Sequence, residues 1–209
     1  MSLFEQQLRE ETPRSLKALR EAENACRRCN LYKFATQAVP GEGPAHAPLM
    51  LIGEQPGNDE DLDGHPFVGP AGRVLDKALQ AAGIDRKQVF VTNAVKHFKH
   101  EMRGKRRLHK RPDPGEIEAC RWWQQIEREL VKPELMVALG ATAARSVFER
   151  VVTINKVRGE VRAVPNGGNA LVTIHPSYLL RIQEERDKEH EYAKFVADLE
   201  IARDFLGTA

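Results

Sequence analysis

The stretch PLMLIGEQPGNDED, residues 48–61, decides the fold of this chain. Its first six residues are mainly apolar and end at a glycine, which is typical of a short buried strand. A polar, glycine-containing segment follows, and residues 69–83, GPAGRVLDKALQAAG, then have the pattern of a helix closed by Gly83. A strand, a loop and a helix in this order predict the first unit of a parallel sheet.

The rest of the chain continues the same alternation. Further strands are predicted at QVFVTNAV (88–95), LMVALG (135–140) and ALVTIHP (170–176). Helices are predicted at Ser15 to Ala25, 114–130, ATAARSVFE (141–149) and roughly 184–205. Strands that alternate with helices predict an α/β fold, a three-layer α/β/α arrangement around a central, mostly parallel sheet.

Length and composition favour one globular unit. A chain of 209 residues with 41% hydrophobic and 30% charged residues suits a single domain over 1–209 and argues against disorder. No apolar run has the length of a membrane span, and the charged start MSLFEQQLREETPRSLKALREAENA lacks the apolar core of a signal peptide. We therefore expect a cytoplasmic monomer that does not bind membranes.

Positive charge is concentrated in one segment. The net charge is only +2, so an affinity for nucleic acid must come from local clustering. Between residues 96 and 111 a single acid, Glu101, faces eight cations: Lys96, Lys99, Arg103, Lys105, Arg106, Arg107, Lys110 and Arg111. Within the run GKRRLHK (104–110), His109 is either one more phosphate contact in a basic loop or a reacting group.

Three polar stretches follow predicted strands, where open α/β sheets bind ligands. They are GEQPGNDED after the first strand, TNAVKH after the second and HPSYLLR after the last. The first and the last have a purely structural alternative, Glu54 as a cap in a turn and Ser177 as the cap of a helix. The separate stretch PFVGPAG (66–72) has one too, with Phe67 as a core side chain.

Two of the three cysteines form a Cys-x2-Cys pair, Cys26 and Cys29, and Cys120 lies on the predicted helix 114–130. In a chain without a sign of export, this pair favours a metal or redox role over a disulfide. Three thiolates leave a tetrahedral site one ligand short, and His97 is a candidate for the fourth. Alternatively, Cys120 is a buried apolar side chain and the pair is incidental.

Four motifs together carry a resemblance. GEQPG, PFVGPAG, TNAVK and HPSYLLR, in this order and after a Cys-x2-Cys pair, resemble the uracil-DNA glycosylase superfamily, specifically its iron-sulfur family 4 branch. The resemblance extends from Cys26 to Arg181. Two departures from ordinary family 4 are His97 in the position of that family's third cysteine and a longer basic loop with KRRLH. Both resemble the UdgX subgroup, whose members excise uracil and stay covalently attached to DNA through the histidine of that loop.

The resemblance implies a [4Fe-4S] cluster that braces the DNA-facing loops away from the uracil pocket. Its implied ligands are Cys26, Cys29, His97 and Cys120. His100 is a competing histidine, and zinc is the alternative metal on spacing alone.

The resemblance also implies a pocket for a uracil flipped out of the base stack. Phe67 would stack on the uracil ring, and the Asn93 amide would read its N3 and O4 edge. His175 and the backbone around Gln55 and Gly57 would bind O2, where negative charge develops as uracil leaves.

His109 is then the implied nucleophile. A neutral imidazole attacks C1′ of the sugar and leaves an N-linked adduct without a good leaving group. We expect the eight nearby cations to lower the pKa of His109 by repulsion, and Glu54 to orient the ring and take its proton. Asp61 is a weaker candidate for the same role.

Contacts with DNA are expected from the basic run and from HPSYLLR. The predicted contacts are Lys105, Arg106, Arg107, Lys110, Ser177, Leu179 and Arg181. Either Leu179 or Leu180 would serve as an apolar wedge in the base stack.

The expected partner is uracil-containing DNA, with single strands preferred. Two alternatives are a family 4 glycosylase that uses water and turns over, and a non-catalytic, cluster-bearing nucleic-acid binding protein.

Overall fold

A computed structural model describes residues 12–207, so the first eleven residues of the charged amino-terminal stretch lie outside the described part. The strands are β1 (Leu49–Gly53), β2 (Val89–Asn93), β3 (His100–Arg103), β4 (Arg106–His109), β5 (Leu135–Leu139), β6 (Val161–Ala163) and β7 (Asn169–Thr173). The helices are α1 (Leu16–Asn24), α2 (Asn58–Asp63), α3 (Pro70–Ala81), α4 (Pro114–Val131), α5 (Ala141–Phe148), α6 (Ile154–Val157), α7 (Pro176–Leu179) and α8 (Glu185–Gly207).

The main sheet has five strands in the order β2-β1-β5-β7-β6. The first four run parallel, and β6 is an antiparallel edge strand on β7. Gly53 at the end of β1 pairs with Asn93 at the end of β2, so the carboxyl ends of the parallel strands lie along one edge. The segments that follow these strands therefore meet there, as predicted.

Alternate residues of each parallel strand are buried on opposite faces of the sheet. Leu49 and Leu51 of β1 pack in a cluster with buried side chains of α3 and α8. Met50 and Ile52 pack in a second cluster with side chains of α5. The predicted three-layer α/β/α fold is confirmed. In the part of the chain described here, no helix has the length and apolar character that a membrane crossing requires.

Several elements were not predicted, among them the short helix α6. The basic run expected as a loop forms the antiparallel hairpin β3–β4, with Gly104 in the left-handed region at its turn (φ 59°). Most of its side chains are exposed, so the run lacks the apolar alternation that identifies a half-buried strand. The polar segment after β1 contains α2, which begins at Gly57 with a capping interaction from Glu60. The short strand β6 also lacked a clear signal.

A buried ion pair joins the end of β2 to α4. Lys96 is fully buried, and its Nζ lies 2.7 Å from Oε1 of Glu127 and 2.5 Å from Thr92 Oγ1. Glu23 of α1 lies 3.7 Å from the same nitrogen. Burial alone would lower the pKa of Lys96, but Glu127 and Glu23 raise it, so the ammonium stays charged. Helices α1 and α4 are thereby fixed to the strand that ends at Asn93.

Candidate active site

A cavity of about 330 Å³ opens at the carboxyl edge of the sheet, within the size range of small-molecule sites. Residues predicted to bind uracil that line it are Gln55, Gly57, Phe67, Asn93 and His175. The predicted nucleophile, His109, lines the same cavity. The structure therefore brings these six residues together from segments that are far apart in sequence.

Phe67 forms one wall of the cavity in a conformation that is rare for a bulky residue, with φ of 59°. Close contacts hold it there. A Cβ added to Gly72 would lie 1.6 Å from the Phe67 carbonyl oxygen, and one added to Gly53 would lie 2.3 Å from Asn93 Oδ1 and 2.6 Å from Phe67 Cζ. Only glycine at these two positions lets the Phe67 ring and the Asn93 amide approach β1 so closely.

His175 presents a defined tautomer. Its Nδ1 accepts a hydrogen bond from the backbone N–H of Ser177 at 3.2 Å and lies 2.8 Å from Ser177 Oγ. Burial lowers the pKa of His175 to about 4, with further repulsion from His109 and Arg181. The ring is therefore neutral at pH 7, and with Nδ1 accepting, its proton lies on Nε2. A neutral Nε2–H donor can stabilise an oxyanion that develops beside it.

Glu54 and His109 form a pair at the cavity. Glu54 Oε1 lies 3.4 Å from His109 Nε2, and Oε2 accepts a hydrogen bond from Thr142 Oγ1 at 2.5 Å. The centroid of the half-exposed His109 ring lies 6.1 Å from that of buried Phe98. This geometry lets the carboxylate orient the imidazole and accept its proton.

The pKa of His109 lies below its ordinary value of 6.5, mainly because neighbouring protein atoms displace water from part of the half-exposed ring. Glu54 raises this pKa and Arg181 lowers it. The expected cause, repulsion from the cations of residues 96–111, is wrong as the main effect, because exposed side chains such as Lys105 and Arg106 are screened by water. The expected result, a neutral imidazole at pH 7, follows from burial instead.

Gln55 fixes the base of the hairpin that carries His109. Its Nε2 donates to the carbonyl oxygens of Lys99 and Lys110, both at 3.1 Å, and its Oε1 accepts from the Lys99 N–H at 3.2 Å. Lys110 is the residue after His109. The Gln55 side chain thus positions the hairpin against the loop that follows β1.

Arg107 is held inside the protein and does not extend toward solvent. Its guanidinium lies 2.5 Å from Asp61 Oδ2, donates to Asn58 Oδ1 at 2.9 Å and lies over the Phe98 ring at 5.5 Å. Asp61 is fully buried and also accepts the Thr36 N–H at 3.0 Å. These contacts favour an anchoring role for Arg107 in the hairpin over its predicted contact with DNA, and they place Asp61 against Arg107 rather than against His109, its expected partner.

The other expected DNA contacts differ in exposure. Lys105 and Arg106 are at or beside the hairpin turn, where Lys105 is exposed, and Lys110 forms an exposed ion pair with Glu101 at 2.9 Å. Leu179 is 2% exposed and belongs to the core, so its predicted contact with DNA is wrong. Leu180 is 48% exposed and lines the cavity, and it is the leucine available as a wedge.

Ser177 and Arg181 both lie beside His175. Ser177 binds the His175 ring, as described above, and Arg181 Nη1 donates to Ser177 Oγ at 3.3 Å. Since Arg181 is exposed, its guanidinium is accessible to an anion from solvent. Because Ser177 contacts both Arg181 and the His175 ring, an anion bound at Arg181 would influence the orientation of that ring.

The three cysteines lie in one largely buried cluster, close enough that a charge on one thiol raises the pKa of another. Cys26 Sγ accepts a hydrogen bond from Trp123 Nε1 at 3.1 Å, and Cys120 Sγ accepts one from the Lys96 N–H at 3.2 Å. Burial raises the pKa of Cys120 to about 12 and also raises that of Cys29, so both are thiols unless a metal binds. Their chemistry suits zinc or an iron-sulfur cluster.

The three cysteines and His97 do not form a complete coordination site in the structure. Across residues 12–207, no three His, Cys, Asp or Glu side chains are arranged to hold a metal ion. His97 is buried and follows Lys96, whose N–H contacts Cys120 Sγ. His100 instead pairs with His109 across the hairpin, so His97 is the better placed of the two histidines.

Residues 40–200 match the family described as the Uracil DNA glycosylase superfamily. The chain belongs to this superfamily. It is 35% identical over 178 residues to a type-4 uracil-DNA glycosylase of Archaeoglobus fulgidus, covering 81% of this chain and 86% of the relative. It is 36% identical over 183 residues to a type-4 uracil-DNA glycosylase of Thermotoga maritima, covering 87% and 89% of the two chains.

Several residues of this superfamily member that support the site were missed from sequence. Glu60 accepts the backbone N–H groups of Gly57 and Gly69, each at 2.9 Å, and so joins the loops on two sides of the cavity. Its only signal was the Gly-x-x-Glu spacing of a helix start. Thr142 and Lys96 act across contacts between distant segments, for which the sequence contains no local pattern.

We predict that Arg107→Met destabilises the hairpin, whereas the neighbouring Arg106→Met does not. Loss of Arg107 leaves the buried Asp61 carboxylate without its ionic partner, at a cost of about 3 kcal/mol. Hydrogen exchange of the amides of residues 100–109 measures the effect, with exchange at least about tenfold faster in Arg107→Met. Equal exchange in the two variants would show that Asp61 does not anchor the hairpin.

Proposed function

We propose that this protein is a uracil-DNA glycosylase that flips uracil out of DNA, excises it, and becomes attached to the resulting sugar through His109. One observation carries the proposal: His109 lines one cavity together with Phe67, Asn93 and His175, and it is paired with Glu54. Membership of the superfamily and the similarity to two type-4 uracil-DNA glycosylases support the base-excision part.

Uracil recognition follows from the cavity walls. The Phe67 ring, whose centroid lies 6.0 Å from that of His175, stacks on the flat base. The buried Asn93 amide offers a donor and an acceptor to the N3 and O4 edge. The backbone of Gln55 and Gly57 and the Nε2–H of His175 bind O2. Leu180 fills the space in the base stack that the flipped nucleotide leaves.

Bond cleavage transfers the electron pair of the glycosidic bond to uracil. As the C1′–N1 bond breaks, negative charge spreads over N1 and O2, where the neutral His175 donor stabilises it. The sugar becomes an oxocarbenium-like cation at C1′. Solvent then supplies the proton that converts the departing anion to free uracil.

His109 captures this cation. The ring nitrogen that carries the lone pair forms a bond to C1′, and the other nitrogen keeps its proton until the ring becomes cationic. Glu54, 3.4 Å from His109 Nε2, then accepts that proton. The product has a C–N bond to a neutral imidazole, which is a poor leaving group, so the protein stays attached. In the alternative, Glu54 activates a water and the enzyme turns over.

The attached-product mechanism is favoured over turnover by how firmly the hairpin is held. Gln55 and the Arg107–Asp61 pair fix both its base and its strand β4, which ends at His109. A histidine without a role in catalysis, in a loop that only contacts DNA, would require neither Gln55 nor the Arg107–Asp61 pair to fix its position. The non-catalytic alternative has no comparable support, since it leaves the Glu54–His109 pair and the strained Phe67 without a role.

We propose uracil-containing DNA as the partner, with single strands preferred, and a monomer of one domain over 1–209 as the acting form. A single strand exposes its bases without the cost of opening a duplex, which suits a protein with one short basic hairpin.

We further propose a [4Fe-4S] cluster held by Cys26, Cys29, Cys120 and His97, with zinc as the alternative. The proposal rests on the family resemblance, on the shared buried region of the thiols and on the N–H groups directed at their sulfurs. When bound, the cluster supplies structural bracing. Its region is linked to Asn93 by the chain itself, because Lys96 contacts Cys120 and lies three residues after Asn93.

The covalent step is tested by denaturing gel electrophoresis with a labelled single strand that contains one uracil. We expect a slow band that resists denaturant with the unmodified protein and with His100→Ala, and none with His109→Ala or with a thymine strand. His100 is the matched control because it is the cross-strand partner of His109. Free uracil and an abasic strand without a slow band would instead establish turnover.

We predict that protonation of His109 causes the rate of adduct formation to fall at low pH. Its neutral form attacks and its pKa lies below 6.5, so the initial rate should fall in acidic solution with a midpoint below pH 6.5. Glu54 raises this pKa, so in Glu54→Gln the fall should shift to lower pH, together with a lower overall rate. Rapid-quench gels across pH 4–8 measure both. A shift to higher pH would contradict the assigned pair.

The cofactor is tested by metal content and absorbance of the purified protein. We expect a brown protein with about four iron atoms per chain, retained in His100→Ala and lost in His97→Ala and Cys120→Ala. Colourless protein that contains zinc would establish the alternative metal. Equal iron in the two histidine variants would remove His97 from the ligand set.

A further inference from the structure

The two carboxylate oxygens of Glu54 contact different groups. Oε1 lies 3.4 Å from His109 Nε2, and Oε2 accepts a hydrogen bond from Thr142 Oγ1 at 2.5 Å. Thr142 is 1% exposed, whereas the side chains of Glu54 and His109 are 23% and 50% exposed. Water therefore competes much less for the Thr142 contact than for the His109 contact.

The Thr142 hydroxyl has a single proton, and a second contact determines its direction. Arg111 Nε donates a hydrogen bond to Thr142 Oγ1 at 3.3 Å. Because a guanidinium group only donates, the Thr142 oxygen is the acceptor in that contact, and its own proton is left for Glu54. Arg111 Nε also lies 3.8 Å from Glu54 Oε2, so it places positive charge beside the same oxygen.

Thr142 has a fixed position in the fold. It is the second residue of α5, and Gly140 before that helix has a φ of 90°, which favours glycine. A Cβ added to Gly140 would lie 3.0 Å from the His175 Cβ, and the Gly140 N–H donates to the Thr173 carbonyl oxygen at 2.9 Å. The turn from β5 into α5 is therefore held against the end of β7, and the Thr142 hydroxyl with it.

A fixed hydroxyl restricts the carboxylate that it binds. The terminal torsion of a glutamate is broad, so a carboxylate without partners rotates freely about its last bond. With Oε2 held by Thr142, the plane of the Glu54 carboxylate is set and Oε1 stays directed at His109. Without the hydroxyl, the partly exposed side chain can turn toward water, which removes the acceptor from the imidazole.

We propose that Thr142 is a positioning residue for Glu54, whose carboxylate it holds in the orientation that faces His109. Arg111 orients the Thr142 hydroxyl. The inference rests on the proposed function for the part of Glu54 as the acceptor of the His109 proton. It adds a residue of α5 to a pair that comes from the loop after β1 and from β4.

Substitutions at Thr142 isolate the hydroxyl. Thr142→Val keeps the shape of the side chain and removes the hydrogen bond, Thr142→Ala removes it without a new methyl group, and Thr142→Ser restores it. Ser146→Ala is the matched control. Ser146 is a buried residue of the same helix, and its hydroxyl makes no hydrogen bond within residues 12–207.

Titration of His109 in the free protein reports the position of the carboxylate without any reaction. The groups that face His109 are Glu54, His175 and Arg181, with His100 across the hairpin. Burial has the largest effect on the pKa of His109 and lowers it, whereas Glu54 raises this pKa and Arg181 lowers it. A carboxylate that turns away therefore lowers the pKa of His109 further.

NMR titration measures this pKa, with the His109 signals assigned by their loss in His109→Gln. We expect a lower pKa in Thr142→Val and Thr142→Ala, in the same direction as in Glu54→Ala but by less. Thr142→Ser and Ser146→Ala should leave it unchanged. In the Glu54→Ala background, Thr142→Val should cause no further change, because no carboxylate is left to position. A further change there, or an unchanged pKa in Thr142→Val, would overturn the proposal.

Rapid-quench gels with the uracil-containing strand at pH 8 measure the effect on the reaction, since His109 is neutral there in every variant. At saturating strand, we expect adduct formation about tenfold slower in Thr142→Val, with the strand concentration for half-maximal rate unchanged. Thr142→Ser and Ser146→Ala should react at the rate of the unmodified protein.

The two measurements separate this inference from the proposed function. If the pKa of His109 responds as expected but the unmodified protein forms no adduct, Thr142 positions Glu54 and the attached-product mechanism fails. If Thr142→Val and the unmodified protein form the adduct at equal rates, the mechanism stands and the role of Thr142 is refuted.

Discussion

The short segment from Thr92 to His97 holds the structure and its site together. Lys96 is buried with Glu127 and Thr92, and an ammonium group without these partners would not remain charged inside the protein. From the same segment, the N–H groups of Ala94 and Val95 donate to the carbonyl oxygens of Gly53 and Glu54, at 2.9 and 3.0 Å. One stretch of backbone thus fixes the position of Asn93 relative to Glu54. Through Lys96 and Glu127, it also holds α4 against the end of β2.

The site is built by rigid anchoring of a polar hairpin. The strands β3 and β4 have few apolar side chains, and a two-stranded hairpin in water is marginally stable by itself. Here Gln55 binds its base and buried Asp61 binds Arg107, so the position of His109 is set by contacts from the loop after β1 and from α2. Such support matters for the proposed reaction of His109, because small displacements of a catalytic group reduce the rate steeply.

His175 is connected by hydrogen bonds to a cation at the surface. His175 stacks with Phe67 on one side, and its Nδ1 binds Ser177, which contacts Arg181. A phosphate that approaches Arg181 therefore acts on the residue chain that fixes the His175 tautomer. Under the proposed function, this chain of hydrogen bonds would link strand binding at Arg181 to stabilisation of the leaving uracil at His175.

The sequence by itself determined the fold class, the parallel strands and the three strand-end motifs, because apolar periodicity and glycine positions are local signals. It also pointed to Glu54, Asn93, His109 and His175. Only the tertiary structure decided that Arg107 and Asp61 form an anchor and that Leu180 rather than Leu179 faces the cavity. These outcomes depend on which distant side chains meet across the edge of the sheet, and that is set by packing, of which a single sequence contains no local pattern.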